Sequence, residues 1–585
     1  MKSLYGALLL CCSAAVASAS EQVDPLDRRF FPAIEVYKEF PSNVWVTGSL
    51  AKIGRHATPG PLHWVEISAA RNEFESFQIH VRAGSNPIQL NATVSDFVNA
   101  PAGGAIAADP NVTVSREAYL NVKTVTDLNG TPGLTPDALI PARDPYFRQT
   151  RNAFPITIPP HETRSVWIDV YVPQKTVSGY YAATVTLNDG AQLLAKVSAR
   201  LKVWNFELPS TATLRSAFGL GFAPFCNAVY GSADQCIKYP GSQDVLHAVA
   251  LTHAAIAAFF LDHRVSVAAV VAVPTQPNGK WTQFDAVYGP LLDGRAKTIL
   301  PGAQLTAIHY GSYTLNVPDL KDWVAHFKAK GWMPKFVQYQ CDEPPGGCTW
   351  DKLSSGAKAF REAGPGVPIL TTTNIAKATE NGVLDLIDIL APVVDHVHPK
   401  RSGSQRDSYN EWLTHPGKQL WWYQSCDEYE SCQDGTPGPK SATWPVYTVD
   451  ASPVRNRIFQ WMAFLYKIQG ELYFATDVWG DDPWDHLYFA AGNGSGALFY
   501  PGATARIGGT TPIPIPSIRL NLIRDGMEDF EYLFALAKAG QGSWAEEISR
   551  SFITNAYTFK NDPEALTAAR EKLGTRLHEL SQSKP

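Results

Sequence analysis

The sequence predicts a multidomain protein in which an N-terminal antiparallel β-sandwich precedes a (β/α)8 barrel with C-terminal helices. Its 585 residues exceed what one hydrophobic core usually supports. Up to residue 208, apolar and polar residues alternate with a period of two, which is typical of half-buried strands. Beyond Pro209, short apolar runs alternate with helical stretches, which is typical of βα units.

The first residues predict a secretory signal peptide. Met1 and Lys2 precede an apolar run, and residues 17–19 have the A-x-A form of a signal peptidase site. No other stretch approaches the roughly 18 apolar residues that span a bilayer. We therefore expect residues 1–19 to be removed, and the mature protein to be exported and to have no membrane span.

Residues 20–208 are assigned to the sandwich. Strands are predicted at 64–67, 74–81, 166–172 and 183–187. Asn188-Asp189-Gly190 is a hairpin turn signal after the last of these runs. The stretch 101–159 is rich in Pro, Gly and Asp, which predicts long loops.

Residues 209–585 are assigned to the catalytic barrel and the C-terminal helices. Eight strands, the number that closes the common barrel, are predicted at 214–220, 265–271, 305–310, 335–340, 369–373, 395–397, 420–424 and 471–475. Amphipathic helices are predicted between them at 246–261, 320–330, 351–363 and 453–468. The last part, 517–578, is predicted to be helical.

Composition narrows the class of partner. The net charge is −5 and no basic run is present, which argues against a surface that tracks nucleic acid phosphates. Aromatic residues make up 11% of the chain, with 16 Trp, and flat rings of this kind stack on the apolar faces of sugars. A glycan is therefore the favoured partner, although protein cores absorb aromatic residues too.

Six of the 8 cysteines lie beyond the predicted signal peptide, and they form three pairs that are close in sequence. In an exported chain an even number of cysteines suggests disulfides, and of fifteen possible connectivities we favour the local set. Zinc is the alternative, but no C-x-x-C or H-x-x-x-H spacing is present. The predicted pairs are Cys226 with Cys236, Cys341 with Cys348, and Cys426 with Cys432.

Four sequons would permit N-glycans if the source is a eukaryote, which would make the protein a glycoprotein. They lie at Asn91, Asn111, Asn129 and Asn493, and Pro132 follows the third closely.

The candidate catalytic residues are Asp342 and Glu343. They follow the apolar run 335–339, and Pro344 and Pro345 prevent the strand from continuing. In a parallel barrel this edge is the mouth, where active sites are assembled. Two carboxylates there suit hydrolysis of a glycosidic bond. The alternative is that one acid caps the next helix and the other is solvated.

Three separated segments resemble glycoside hydrolase family 123 and its relatives. They are residues 68–78 in the predicted sandwich, 341–344 around the acid pair, and 522–533 near the end. The resemblance implies a β-sandwich followed by a (β/α)8 barrel. It also implies a retaining β-N-acetylgalactosaminidase that uses the 2-acetamido group of the substrate as nucleophile. Neither a metal nor an organic cofactor is implied.

The resemblance also implies a role for each acid. Asp342 would accept a hydrogen bond from the acetamide N–H and stabilise the oxazolinium charge, and Glu343 would be the general acid and base. The substrate would be a glycan with a terminal or internal N-acetylhexosamine. Both acids can serve one site only if the backbone leaves regular strand geometry here, because side chains in a strand alternate between faces.

Further residues are predicted to contact the sugar because they lie at the ends of predicted barrel strands. Trp421 and Trp422 cannot both face inward, and Trp422 is preferred. For Arg524, Glu528 and Asp529 we expect a structural role, since charges at helical spacing usually pair with each other or with a neighbouring loop. The predicted sugar contacts are Tyr310, Asn374, Trp422, Tyr423, Asp477, Trp479 and Trp484.

Two other functions remain open. The first is a non-catalytic exported carbohydrate-binding protein, which would need neither Asp342 nor Glu343. The second is a conventional glycosidase acting on a sugar without an acetamide, in which Asp477 or Asp427 supplies the second carboxylate.

Overall fold

The computed structural model describes residues 40–99, 103–127, 130–267, 281–309, 317–425, 444–489 and 492–582. The predicted signal peptide lies outside these ranges. Strands dominate the first part of the described chain. They are β1 (Val44–Gly48), β2 (Trp64–Arg71), β3 (Glu73–Arg82), β4 (Ile88–Val94), β5 (Phe97–Asn99), β6 (Gly104–Ile106), β7 (Val112–Val122), β8 (Gly133–Pro141), β9 (Ile156–Ile158), β10 (Thr163–Val172), β11 (Gly179–Asp189) and β12 (Gln192–Glu207).

These strands form two sheets that share one core. The first sheet is antiparallel throughout, in the order β1-β3-β10-β7-β8, and the second has the order β2-β12-β11-β4-β9 with β5 and β6 at its side. Side chains from both sheets meet between them, including Ile79, Val166, Val185 and Val197. The expectation of a purely antiparallel domain is wrong at one place, because β2 pairs with β12 in parallel. The predicted loop region 101–159 also contains β7 and β8, which are paired strands.

Seven parallel strands build the second part. They lie in the order β13-β19-β18-β17-β16-β15-β14, which makes a nearly closed, barrel-like sheet. The strands are β13 (Arg215–Phe218), β14 (Ile308–His309), β15 (Phe336–Cys341), β16 (Ile369–Thr371), β17 (Ile389–Leu390), β18 (Gln419–Tyr423) and β19 (Gly470–Tyr473). Short hairpins follow: β20 (Tyr488–Phe489) with β21 (Gly492–Asn493), β22 (Phe499–Gly502) with β23 (Ile513–Pro516), and β24 (Ile553–Asn555) with β25 (Thr558–Phe559).

Ser266 links the two edge strands of this sheet. Its backbone N–H donates to Ser216 Oγ of β13 at 2.8 Å, and its own hydroxyl accepts from the N–H of Thr306, just before β14, at 2.7 Å. Val267 forms a parallel bridge with Phe218. The start of the predicted strand 265–271 is therefore in the expected place, and residues 268–271 lie outside the described residues.

Helices pack around the parallel sheet and follow it. They are α1 (Ala108–Asn111), α2 (Pro224–Tyr230), α3 (Val245–Asp262), α4 (Trp281–Val287), α5 (Gly289–Asp293), α6 (Val317–Lys330), α7 (Trp350–Ala363), α8 (Ile375–Glu380), α9 (Val394–Val397), α10 (Pro453–Arg457), α11 (Phe459–Leu465), α12 (Thr504–Ile507), α13 (Ile518–Leu536), α14 (Gly542–Arg550) and α15 (Pro563–Gln582). Helix α3 is long and apolar enough to cross a bilayer, although no such stretch was expected beyond the predicted signal peptide. However, 67% of it is buried inside the protein. It is a core helix.

One predicted barrel strand is wrong. Residues 395–397 belong to the short helix α9, and the strand at that position in the sheet is β17, which precedes it. β17 has only two residues, both fully buried, and two residues cannot display an alternating pattern. The run Val394-Asp395-His396-Val397 is too short for periodicity to distinguish a strand from a helical turn.

A buried group of charges joins the strand-rich part to the C-terminal helices, and we call it the interdomain ion cluster. In it Arg524 of α13 binds Asp169 of β10 at 2.8 Å, and Arg570 of α15 binds Glu73 and Glu75 of β3. Its six carboxylates outnumber its four guanidinium groups. The members are Glu73, Glu75, Asp169, Arg264, Arg457, Arg524, Asp525, Glu528, Asp529 and Arg570.

The excess of carboxylates affects Glu528. Its Oε1 accepts from Arg264 Nε and from the N–H of Phe74, both at 3.1 Å, whereas its buried Oε2 has no hydrogen-bond partner among the described residues. Burial raises the pKa of Glu528 from 4.5 to about 8. A buried carboxyl group in which only one oxygen accepts hydrogen bonds is more stable in the protonated form than in the charged form.

We expect Glu528→Gln to flatten the pH dependence of stability. Between pH 4.5 and 8 the unfolded carboxyl gives up its proton while the folded one keeps it, so the free energy of unfolding falls as pH rises. The variant should remove up to about 1.4 kcal/mol per pH unit of that decline. Urea unfolding at pH 6.5–8 measures this slope. Buried histidines such as His263, whose pKa burial lowers from 6.5 to about 4, affect the pH dependence of stability below this range. Glu579→Gln, on the exposed end of α15, is the control, and equal slopes in both variants would contradict the assignment.

Candidate active site

Asp342 and Glu343 follow the last residue of β15, as predicted. The strand is apolar and buried at Phe336 and Val337, so it anchors the pair in the sheet. Glu343 has a φ of +41°, in the left-handed region that side chains rarely adopt. The backbone therefore leaves regular strand geometry at this residue, which was the condition for both acids to serve one site.

Two hydroxyl groups hold the carboxylate of Asp342. Tyr339 OH and Thr372 Oγ1 both donate to Oδ1, the second at 3.0 Å. Thr372 comes directly after β16, the strand next to β15, so the parallel register brings it beside Asp342. The Asp342 side chain is exposed, so its carboxylate is fixed in direction while it remains open to a ligand.

Glu343 is held by its backbone and by its side chain. Its N–H donates to Thr372 Oγ1 at 2.7 Å, and Tyr423 OH donates to its Oε1. Tyr423 is the last residue of β18 and is almost fully buried, so it is a rigid support. Glu343 itself is half-buried. Neither acid is sealed in the interior, and residues from three barrel strands converge on the pair.

A disulfide closes the loop that contains both acids. Cys341 is bonded to Cys348, and Cys226 to Cys236, which confirms two of the three predicted pairs. Cys426 and Cys432 lie outside the described residues. The loop is tight at Gly347, where a Cβ would lie 2.4 Å from the carbonyl oxygen of Asp342. The bridge and this glycine keep the chain after Glu343 close to the acid pair.

Of the predicted sugar contacts within the described ranges, only Tyr423 has a hydrogen bond to one of the acids. Asn374 instead caps α8, where its Oδ1 accepts from the N–H of Lys377 at 2.9 Å. It lines a groove of about 890 Å³ together with Tyr409 and Trp412, and neither acid lines that groove. Tyr310 lies outside the described residues.

Trp422 is not a sugar contact. Its side chain is 0% exposed and its ring stacks on Phe459 of α11, with 4.6 Å between ring centroids. The prediction for Trp422 is therefore wrong, and Trp421 is no alternative contact, because it is also 0% exposed. Trp421 faces the other side of β18, against Gly470, where a Cβ would approach the Trp421 ring to 2.3 Å. This is the face that carries Tyr423 two residues later.

The three predicted sugar contacts after β19 have hydrogen bonds to the backbone of the protein. Trp484 is buried, and its indole N–H donates to the Pro501 carbonyl at 3.1 Å, so it is core and not a stacking platform. Trp479 is half-buried and donates to the Phe499 carbonyl at 3.0 Å. Both oxygens of Asp477 accept from the N–H of Gly221 at 3.0 Å. Burial raises the pKa of Asp477 from 3.8 to about 6.

The sequons differ in accessibility. Asn91 and Asn111 are half-exposed, whereas Asn129 lies outside the described residues. Asn493 is 3% exposed and its amide nitrogen donates to the Thr124 carbonyl at 2.7 Å. A glycan on that nitrogen would break this bond and has no room, so the prediction at Asn493 is wrong.

Tyr339 and Thr372 were missed by the sequence reasoning. Thr372 is the next-to-last residue of the predicted strand 369–373, at the same strand end as Asn374, so the rule that selected Asn374 could have found it. Tyr339 was treated only as an apolar member of β15. Within the described ranges no group of three His, Cys, Asp or Glu side chains is placed to hold a metal ion.

Two family models match parts of the chain. The family model of the glycoside hydrolase 123 catalytic domain matches residues 314–536, which include the acid pair, and that of the glycoside hydrolase 123 N-terminal domain matches residues 58–189. No curated protein matches the chain.

One solved structure supports the same fold. A family 123 glycoside hydrolase from Clostridium perfringens, studied for glycolipid glycan hydrolysis, has a TM-score of 0.62 and 15% identity, over 92% of this chain and 97% of its own. A family 39 glycoside hydrolase from Bacteroides cellulosilyticus aligns with 71% of this chain and 77% of its own at 11% identity. Its TM-score of 0.29 is too low to carry an argument.

Proposed function

The chain belongs to glycoside hydrolase family 123, and from this membership we propose that it is a retaining β-N-acetylgalactosaminidase that uses the 2-acetamido group of its substrate as the nucleophile. The observation that carries the proposal is the pair of supported acids: Asp342 is oriented by Tyr339 and Thr372, and Glu343 by Tyr423. Two separate supports for two adjacent carboxyl groups suit two separate roles.

In the proposed reaction Glu343 donates a proton to the glycosidic oxygen while the acetamide oxygen attacks the anomeric carbon. The C–O bond to the leaving group breaks and an oxazolinium ring forms. Asp342 accepts the acetamide N–H, which aims the carbonyl oxygen and stabilises the positive charge of the ring. Glu343 then takes a proton from water, and the water oxygen opens the ring with net retention of configuration.

The proposed substrate is a glycan with a terminal or internal N-acetylhexosamine, and glycolipid glycans are included because the similar Clostridium enzyme was studied on them. We also propose that the chain is exported, with residues 1–19 as its signal peptide. The two disulfides support export, since such bonds persist in oxidising compartments. For the fold we propose a β-sandwich over 20–208 and a complete (β/α)8 barrel in 209–585, with Ser266 and Val267 at the place of the eighth strand, between β13 and β14.

The two rival functions have less support. A carbohydrate-binding protein without turnover has no need of hydroxyl groups that orient both acids. A conventional two-carboxylate mechanism would need a second acid near the pair. Asp477 is nearly fully buried and its two oxygens already accept from Gly221, and Asp427 lies outside the described residues.

Hydrolysis of a panel of aryl β-glycosides tests the proposal. We expect turnover of the N-acetylgalactosaminide, less of the N-acetylglucosaminide, and none of the matched galactoside and glucoside that lack the acetamide. A thiazoline analogue of N-acetylgalactosamine should inhibit strongly, because it mimics the oxazolinium ring. Turnover of the galactoside without thiazoline inhibition would favour the two-carboxylate mechanism, and no turnover of any substrate would favour the binding protein.

A further inference from the structure

We propose that Thr372 is a positioning residue that holds the two catalytic acids in a fixed relation to each other, an inference that rests on the proposed function. Its hydroxyl group contacts both acids: Oγ1 lies 3.0 Å from Asp342 Oδ1 and 2.7 Å from the backbone nitrogen of Glu343. Among the described residues, no other side chain has a hydrogen bond to both.

The directions of these bonds follow from the chemistry of the groups. A hydroxyl has one proton to donate and two lone pairs that accept. The backbone N–H of Glu343 can only donate, so it occupies a lone pair of Thr372. The Thr372 proton is then available for the carboxylate of Asp342, and Tyr339 supplies a second proton to the same oxygen. The contact of 3.1 Å between the two hydroxyl oxygens reflects their convergence on Oδ1.

In this arrangement the two carboxylate oxygens of Asp342 have different roles. Both hydroxyl groups bind Oδ1, and within the described part of the chain no donor is bound to Oδ2. Because Oδ1 is held from two directions, the carboxylate plane is fixed and Oδ2 is left for an N–H donor of the substrate. The same hydroxyl anchors the N–H of Glu343 at its left-handed φ of +41°. Thr372 thereby couples the orientation of the acetamide-binding acid to the position of the proton donor.

Thr371 is a natural control for this inference. It is the neighbouring residue of the same type, it is fully buried, and its hydroxyl has no hydrogen-bond partner among the described residues. Replacement of either threonine with valine keeps the branched shape and removes one hydroxyl. Only at position 372 does that hydroxyl bind the acids, so a general effect of the substitution on the strand end would appear in both variants.

The experiment compares Thr372→Val, Thr372→Ser and Thr371→Val on an aryl N-acetylgalactosaminide. We expect Thr372→Val to lose about 10- to 100-fold in kcat with a smaller change in KM, as for a misplacement of catalytic groups. Thr372→Ser retains the hydroxyl and should stay within about 3-fold of the parent enzyme, and Thr371→Val should do the same. Inhibition by the thiazoline analogue should weaken in Thr372→Val alone.

Crystal structures of the parent protein and Thr372→Val give a readout that does not depend on turnover. We expect the Asp342 carboxylate to rotate or to lose its single orientation in the variant, while the melting temperature remains near that of Thr371→Val. Unchanged Asp342 and Glu343 side chains, or equal kinetic losses at positions 371 and 372, would overturn the inference. If the parent protein cleaves no glycoside, the proposed function fails, and the crystal structures still decide whether Thr372 positions the acids.

Discussion

Glu343→Gln is expected to lower kcat/KM on natural glycosides by about 10²- to 10⁴-fold, the usual contribution of a general acid. The amide still accepts a hydrogen bond from Tyr423 but cannot give a proton to the glycosidic oxygen. Aryl glycosides whose phenolate leaves without protonation should lose much less in the ring-forming step. The loss should therefore increase with the pKa of the leaving group.

Steady-state kinetics on a series of aryl N-acetylgalactosaminides with leaving groups of increasing pKa measure this slope. Asp351→Asn is the matched control, since it neutralises an exposed acid in the first turn of α7, shortly after the acid pair. That variant should keep the kinetics of the parent enzyme. An equal loss for good and poor leaving groups in Glu343→Gln would remove Glu343 from the acid role.

Arg570→Met should destabilise the protein by about 3–5 kcal/mol, as expected when one partner of a buried ion pair is removed. The Arg570 side chain is 9% exposed, and its guanidinium binds Glu73, Glu75 and Asp529 at once. Methionine fills similar space, so the main cost is the loss of the cation beside these buried carboxylates, of which Asp529 keeps Arg457 as a partner. Lower pH should recover part of the loss, because burial already raises the pKa of Glu75 to about 7 and protonation removes its charge.

Urea unfolding followed by tryptophan fluorescence, at pH 5 and pH 8, measures this cost. Arg576→Met is the control on the same helix, because Arg576 is 38% exposed and pairs with Glu579 at the surface. Exposed pairs of this kind contribute about 0–1 kcal/mol. Comparable losses in the two variants would show that the interdomain ion cluster does not stabilise the contact between the two parts of the chain.

The order of strands and helices was predictable because long elements carry enough residues to show a period. Helices α3, α6 and α7 were located within a few residues, and β15 and β18 within one. β17 was missed because two buried residues contain no pattern. The parallel pairing of β2 with β12 was missed as well, since alternation reveals that a strand has one buried face but not the direction of its neighbour.

The acids of the candidate site were predictable because a strand end followed by two prolines marks the rim of a barrel. The residues that orient the two acids were less predictable. Tyr423 was found by its place at a strand end, but Tyr339 lies inside β15, and the register of that strand shifts between Tyr339 and Cys341, which places Tyr339 on the side of Asp342. Trp422 shows the limit of alternation. The pattern indicates that neighbouring side chains face opposite sides of β18, but not which side faces the inside of the barrel and which faces helix α11.

The charged motif near the C-terminus shows a further limit. Its acids and arginines were expected to pair with each other or with a nearby loop, as helical spacing favours. Arg524 does contact Asp525, but its main partner is Asp169, and Glu528 accepts from the N–H of Phe74. Spacing within a helix contains no information about partners on a strand several hundred residues away.

Those distant pairs have a consequence for the order of biosynthesis. Glu73 and Arg570 are separated by 497 positions, so a ribosome adding about 5–20 residues per second makes the arginine roughly 25–100 s after the glutamate. Throughout that interval the nascent chain has the acids of β3 but not the cation that neutralises them in the interior. We therefore expect the strand-rich part to reach its final packing only post-translationally, and a polypeptide that stops before α15 to leave neither part fully folded.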